Sequence, residues 1–190
     1  MKKIWCIRHG TALHNFLFKK IGTKAYTLPI YRDTCLLEEG HQQSNELSKS
    51  WKEKNEIEIV FVSPLTRTLQ TARNIFQNIK MIANDDIMEY PQSLDYCNKR
   101  REKSLLQIEF PNVTYNIPEE SNWGNTETLF DLKKRSDNFK EMLRKIPEKN
   151  ICVVSHSSFL KEFLFGEVGN RNEEIDHCAP ILFNLNSSTP

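Results

Sequence analysis

Three short runs constrain the fold of this chain most. Ile4-Trp5-Cys6-Ile7, Ile57-Glu58-Ile59-Val60-Phe61-Val62 and Ile151-Cys152-Val153-Val154 are nearly continuous in apolar, β-branched residues. A strand with one wet face alternates polar and apolar residues, whereas a strand covered on both faces does not. The runs therefore predict central strands of a parallel sheet, flanked by weaker strands at Met81-Ile82 to Ile87-Met88 and at Ile181-Leu182-Phe183. Helical periodicity fills the intervals. Leu65, Leu69, Ala72, Ile75, Phe76 and Ile79 share a stripe behind Ser63-Pro64, which reads as an N-cap and a first helical position. Leu129, Leu132, Phe139, Met142, Leu143 and Ile146 share another, which stops at Pro147. Residues 41–54 set Leu47 and Trp51 against Lys49, Lys52, Glu53 and Lys54, and a further helix opens just beyond His156. Alternating strands and helices predict an α/β fold. It is a three-layer α/β/α sandwich with a mostly parallel central sheet, and its ligand site lies at the carboxyl ends of the strands.

The charge balance then narrows the partners. Lys and Arg number 26 against 25 Asp and Glu, a formal charge of +1, so no global field favours nucleic acid or an anionic membrane, and any anion site must be local. No apolar stretch approaches the roughly 20 residues that cross a bilayer. Cysteines at 6, 35, 97, 152 and 178 are odd in number and lack any CxxC spacing, which suits a reduced, cytoplasmic protein. Cys6 and Cys152 read as core. Glycines and prolines are scattered without a linker or repeat, so residues 1–190 read as one domain, with a lid segment at about 90–125.

The unusual residues collect where the strands end. The first strand delivers Arg8-His9-Gly10, the second Ser63-Pro64-Leu65-Thr66-Arg67, the third Glu89, and the Ile151 strand Ser155-His156-Ser157. Arg67 falls in the first turn of its helix, where the macrodipole opposes a cation by roughly 0.3–1 kcal/mol unless an anion binds there. The alternative is that Arg67 bends back to a surface carboxylate. Bare amides at the starts of the helices after Ser63 and His156 would add donors. A neutral imidazole among arginines is suited to attack phosphorus, which makes His9 a candidate nucleophile, with the second histidine donating to the equatorial oxygens. Glu89 could protonate the leaving oxygen, provided that it holds a proton near neutral pH; Asp85, Asp86 and Asp95 are its competitors. No HxH or HExxH spacing is present, and adjacent arginines oppose a divalent cation, so neither metal nor cofactor is expected.

These residues resemble those of the histidine phosphatase superfamily, also called the phosphoglycerate mutase-like family. The likeness runs through Ile7-Arg8-His9-Gly10-Thr11 with Asn15, then Asp33, Leu36, Gly40 and Gln43, then Val62 to Ala72, and ends at Val153-Val154-Ser155-His156. It implies that His9 is the phosphorylated nucleophile, that Arg8, Arg67 and His156 hold the phosphate with help from Asn15, and that Glu89 is the matching carboxylate. It also implies metal-independent chemistry on the sandwich argued above. Ser157 stands where the family usually has glycine, with its N–H still available to phosphate, and Leu37 replaces a threonine. The segment Asp95 to Ser104 is more like the compact phosphatase branch than the longer, basic insertion of the mutases.

Within that segment, Lys99-Arg100-Arg101 either caps the crevice, with Arg100 and Arg101 gripping a second acidic group, or forms a solvated loop. Trp123 and Tyr115 either line the lid or pack it. The expected activity is that of a phosphomonoester hydrolase working through phosphohistidine on a small phosphorylated molecule or a phosphoprotein. An isomerase of the phosphoglycerate mutase kind and a catalytically weak phospho-ligand-binding module are the alternatives, and oligomeric state is left open.

Overall fold

In the computed structural model, which describes residues 2–92, 94–121, 124, 126–168 and 174–185, the three apolar runs become adjacent strands. They are β1 (Lys2–Arg8), β2 (Ile59–Val62) and β5 (Asn150–Ser155), joined by β3 (Met81–Ala83), β4 (Val113–Tyr115) and β6 (Ile181–Leu185) in the order β4-β3-β2-β5-β1-β6. All pairings are parallel except β1 with β6. Strand alternation sorts the core into two layers. Ile4, Cys6, Ile59, Phe61, Ile151 and Val153 face α6 (Leu129–Lys145) and α7 (Ser157–Phe165), packing on Phe139, Leu143, Phe159 and Phe163. Ile7, Val60, Val62, Cys152 and Val154 face α3 (Glu38–Ser50) and α4 (Thr66–Ile75), packing on Leu47, Leu69, Ala72 and Ile75. In β2 and β5 every residue after Glu58 and Asn150 respectively is buried, whichever face it points to, and in β1 Ile4, Cys6 and Ile7 are, which is why these runs do not alternate.

Several local expectations shift. Helix α4 starts at Thr66 rather than directly after Ser63, because a distant carboxylate caps it: Asp33 Oδ1 accepts the Thr66 N–H at 2.8 Å and Oδ2 its hydroxyl at 2.7 Å. Asp33 reaches this position with φ +47°, a conformation that Asp tolerates better than most residues. Helix α3 spans Glu38–Ser50 rather than 41–54, and its last expected residues form a separate 3-10 turn, Lys52–Glu56. Three elements have no counterpart in the sequence reading: α1 (Leu13–Ile21), α5 (Lys103–Glu109) and β4, besides the single-turn α2 (Lys24–Thr27). Of its nine residues α1 buries only His14, so it carries no apolar stripe, and three-residue β4 is too short to display a period.

The loop after β1 is held by direct backbone packing. A Cβ on Gly10 would sit 2.5 Å from the Gly40 carbonyl oxygen, and one on Gly40 would overlap Thr11. The Thr11 N–H donates to Gln43 Oε1 at 2.8 Å, and its carbonyl accepts the Leu37 N–H at 3.0 Å. Glycine at both positions thus lets α3 clamp the loop that carries His9.

Candidate active site

Parallel register brings the expected residues to one edge. Arg8 pairs with Ser155 across β1 and β5, His9 N–H donates to the Ser155 carbonyl at 3.0 Å, and Ser63 N–H to that of Val154 at 3.0 Å. After β3, a 3-10 turn (Asp85–Ile87) leads to Glu89 and is pinned by Ser155 Oγ donating to the Ile87 carbonyl at 2.6 Å. The result is a polar cavity of about 220 Å³ walled by Arg8, His9, Asn15, Glu89 and Ser157, with His14, Tyr26, Asn98, Lys161 and Glu174 among its other lining residues.

His9 is buried, and its Nδ1 lies 2.7 Å from the Gly10 carbonyl oxygen. A carbonyl can only accept, so Nδ1 carries the proton and Nε2 keeps its lone pair. Burial first, then the charge of Arg67 and the neighbouring rings, holds the His9 pKa well below the usual imidazole range. Burial followed by Arg67 does the same to His14 and His156. All three rings are held neutral by burial beside cations.

Arg67 and His156 are fully buried and stand behind the cavity wall rather than on it. Arg67 donates to the Cys97 carbonyl at 2.7 Å and to Asn98 Oδ1 at 2.9 Å, and takes no carboxylate partner among the described residues. His156 Nε2 meets Ser63 Oγ at 2.8 Å, while its ring centre lies 5.1 Å from that of His9. Among the described residues, five buried side-chain polar atoms lack a hydrogen bond, and three of them belong here: Arg8 Nε, Arg67 Nε and His156 Nδ1. Buried polar atoms in native proteins are nearly always paired, so this concentration sets the locus apart from the rest of the described chain. Asn15 Oδ1 accepts the Ala12 N–H at 3.0 Å, which leaves its NH₂ as a donor on the cavity wall.

The helix starts are not bare. Glu89 Oε1 accepts N–H groups from Tyr90 at 2.9 Å, Ser158 at 3.1 Å and Phe159 at 3.2 Å, so this carboxylate caps α7 as Asp33 caps α4. Oε2 has a single 3.4 Å contact, from Ser158, and is the freer oxygen. The Ser157 amide is not among those that Glu89 takes.

Arg100 and Arg101 do not reach the cavity, which corrects the expectation that they grip a second acidic group. Arg100 is 1% exposed and donates to both Asp85 oxygens and to the carbonyls of Arg101, Pro118, Glu119 and Glu120. Arg101 turns to Glu109 at 2.8 Å, Thr66 Oγ1 at 2.9 Å and Asp33 at 3.4 Å. Tyr115 is buried with its hydroxyl on the Leu106 carbonyl at 3.1 Å, so it packs rather than lines, while Trp123 lies outside the described residues.

The sequence reading missed two histidines. His14 and His177 place their ring centres 5.8 Å and 5.5 Å from that of His9, so four of the chain's five histidines meet here. His14 stands next to Asn15, a proximity that offered a hint; His177 lies in a loop after α7, where its Nδ1 donates to the His9 carbonyl, and no motif announces it. Among the described residues, no group of three or more His, Cys, Asp or Glu is arranged to hold a metal ion, and no helix is long and apolar enough to cross a membrane.

Fold and site together define an α/β sandwich with histidines and arginines gathered about a polar pocket at the carboxyl edge of its sheet. Residues 4–180 match the family model of the histidine phosphatase superfamily (branch 1), and the chain belongs to that family. It is 28% identical to a phosphoglycerate mutase-like protein of Arabidopsis thaliana, over 86% of this chain and 73% of the relative. A Schizosaccharomyces pombe protein named a probable phosphatase is 26% identical over 92% of this chain and 82% of its own length. The crystal structure of the α-ribazole phosphatase from Shigella flexneri shares the fold, with a TM-score of 0.64 at 18% identity, covering 97% of this chain and 91% of that one.

Proposed function

We propose that the chain is a phosphomonoester phosphatase working through phosphohistidine at His9. The observation that carries this reading is the convergence of Arg8, Arg67 and His156, each with an unpaired buried nitrogen, around a histidine whose Nε2 is held deprotonated. Nε2 attacks phosphorus as the bond to the leaving oxygen breaks, and Glu89 Oε2 delivers the proton that oxygen needs. Water then cleaves the N–P bond, giving its proton to Glu89 and releasing inorganic phosphate. Arg8, the Asn15 NH₂ and the Ser157 N–H stabilise the equatorial oxygens as their charge grows, with His156 supporting them from behind the cavity wall. Arg67, with both terminal nitrogens engaged, acts chiefly through its charge. A cavity of about 220 Å³ suits a small substrate better than a folded phosphoprotein. Five unpaired cysteines are in keeping with a reducing, cytoplasmic setting.

The test is transfer of label from a ³²P-phosphomonoester to the protein. The expected result is an acid-labile label on the wild type that His9→Ala abolishes along with turnover. A variant that still labels and turns over would sink the reading. The relatives' names keep a mutase reading alive; exchange between 2- and 3-phosphoglycerate faster than hydrolysis would favour it, although neither Arg100 nor Arg101 is placed to hold the second anionic group.

A further inference from the structure

The polar cavity at His9 has a larger neighbour. Arg8, Asn15, Tyr26 and Glu174 line both it and a second cavity of about 350 Å³, whose outer wall is formed by α1. Phe16 and Phe18 project into that second compartment and stay 43% and 44% exposed, because α1 gives the core only His14. The rings of Phe18 and Tyr26 lie parallel, with centres 5.0 Å apart and planes 5° from each other. Tyr26 in turn meets His14 edge-on at 5.9 Å, which ties the aromatic wall to the histidine cluster. Exposed aromatic rings that serve no core, set beside a polar pocket, are the composition of a ligand site: apolar walls with a few oriented polar groups.

The charges of the second compartment say what it does not take. Lys19 and Arg8 are matched there by Glu39 and Glu174, so among the described residues no excess of positive charge awaits a second anion. Arg8 is already held by the Ile175 carbonyl at 2.7 Å, with Glu174 3.9 Å away.

We propose that this compartment is the leaving-group subsite, and that the substrates are phosphomonoesters whose leaving group is a flat, uncharged aromatic ring or one of similar shape and polarity. The phosphoryl group sits at His9, and the ring lies against Phe18 and Phe16, with Tyr26 at the boundary. Parallel and edge-on aromatic contacts supply selectivity that the polar cavity cannot. The assignment of the phosphoryl end rests on the phosphatase reading; the ring preference does not.

The experiment measures binding first, with phosphonates whose C–P bond is not cleaved. Calorimetry on the wild-type chain compares 1-naphthylmethylphosphonate, methylphosphonate and 2-carboxyethylphosphonate, with orthovanadate as competitor. The expected result is an orthovanadate-displaceable naphthyl ligand bound at least about tenfold more tightly than either other compound. In Phe18→Ala that ratio falls by about tenfold, and in Phe16→Ala by less, since Lys20 Nζ already covers one ring face of Phe16 at 4.4 Å. Both positions are on the surface, and a melting curve checks that each variant is folded. Equal affinities, tighter binding of the carboxyethyl compound, or a ratio unchanged in both variants would overturn the proposal. Hydrolysis of 1-naphthyl phosphate against glycerol 2-phosphate separates the two readings. Discrimination among phosphonates without turnover of either ester removes the phosphatase reading and keeps the subsite, whereas equal turnover without discrimination does the reverse.

Discussion

Replacing Arg100 by Met separates a cation that reads substrate from one that holds the fold. Arg100 is buried, and its guanidinium satisfies the Asp85 carboxylate, at 2.9 and 3.2 Å, together with four carbonyls, at 2.8–3.0 Å. Methionine fills much of the same volume but donates nothing. Removing one partner of a buried ion pair costs about 3–5 kcal/mol, because the remaining charge is left unpaired. The Asp85 side chain is 28% exposed and regains some water, which argues for the lower end, while the four orphaned carbonyls push the loss back up. For a chain of this size each kcal/mol shifts the midpoint by roughly 2–4 °C, so thermal unfolding should move down by roughly 6–20 °C. At 25 °C, where Arg100→Met remains folded, kcat/KM for a small phosphomonoester should stay within about twofold of wild type, a change below about 0.5 kcal/mol. Arg100→Lys should fall between, since one ammonium cannot span acceptors on both sides of a planar fork. A midpoint within about 2 °C of wild type, accompanied by a KM raised tenfold or more, would refute the reasoning and return Arg100 to the substrate.

Three further outcomes test other parts of the structure. Glu89→Gln keeps an oxygen for the amides at the start of α7, so stability should hold while turnover of alkyl phosphates falls by about 10²–10⁴-fold; p-nitrophenyl phosphate, whose leaving group needs no proton, should lose far less, and equal losses would remove Glu89 as the acid. His9, His14 and His156 are held below the 6.5 of a free histidine, so the unfolded chain binds more protons below that pH. Stability is therefore fully present above pH 6.5 and lost on acidification by about 1.4 kcal/mol per proton per pH unit; urea titrations between pH 7.5 and 5 should show this slope, and a flat profile would contradict neutral burial. Gly40→Ala would drive a methyl group into the Thr11 backbone, and the expected result is a loss of about 1–3 kcal/mol, read from denaturant unfolding, with at least a tenfold drop in activity as the His9 loop is displaced; wild-type behaviour would show that the clamp gives way freely.

Much of the architecture was legible in the chain. The continuous apolar runs identified β1, β2 and β5 because strands covered on both sides need no polar face, and the strand ends then located Arg8, His9, Ser63, Glu89 and His156 at one edge. Repeating local patterns carry that information, and they survive in sequence because burial on a regular element imposes its own period. Tertiary structure alone decided the rest. Asp33 and Glu89 cap helices that begin 33 and 68 residues later in the chain, which moved α4 by two residues and closed amides that looked open. Arg67 went behind the wall instead of onto it, Arg100 turned inward to a ring of carbonyls, and His14 and His177 joined His9 from separate loops and helices. Which way a loop cation points depends on acceptors brought near by the fold, many residues away along the chain. No local period records that distance, so the sequence determines the edge where the chemistry gathers, and only the packed chain decides which charges face it.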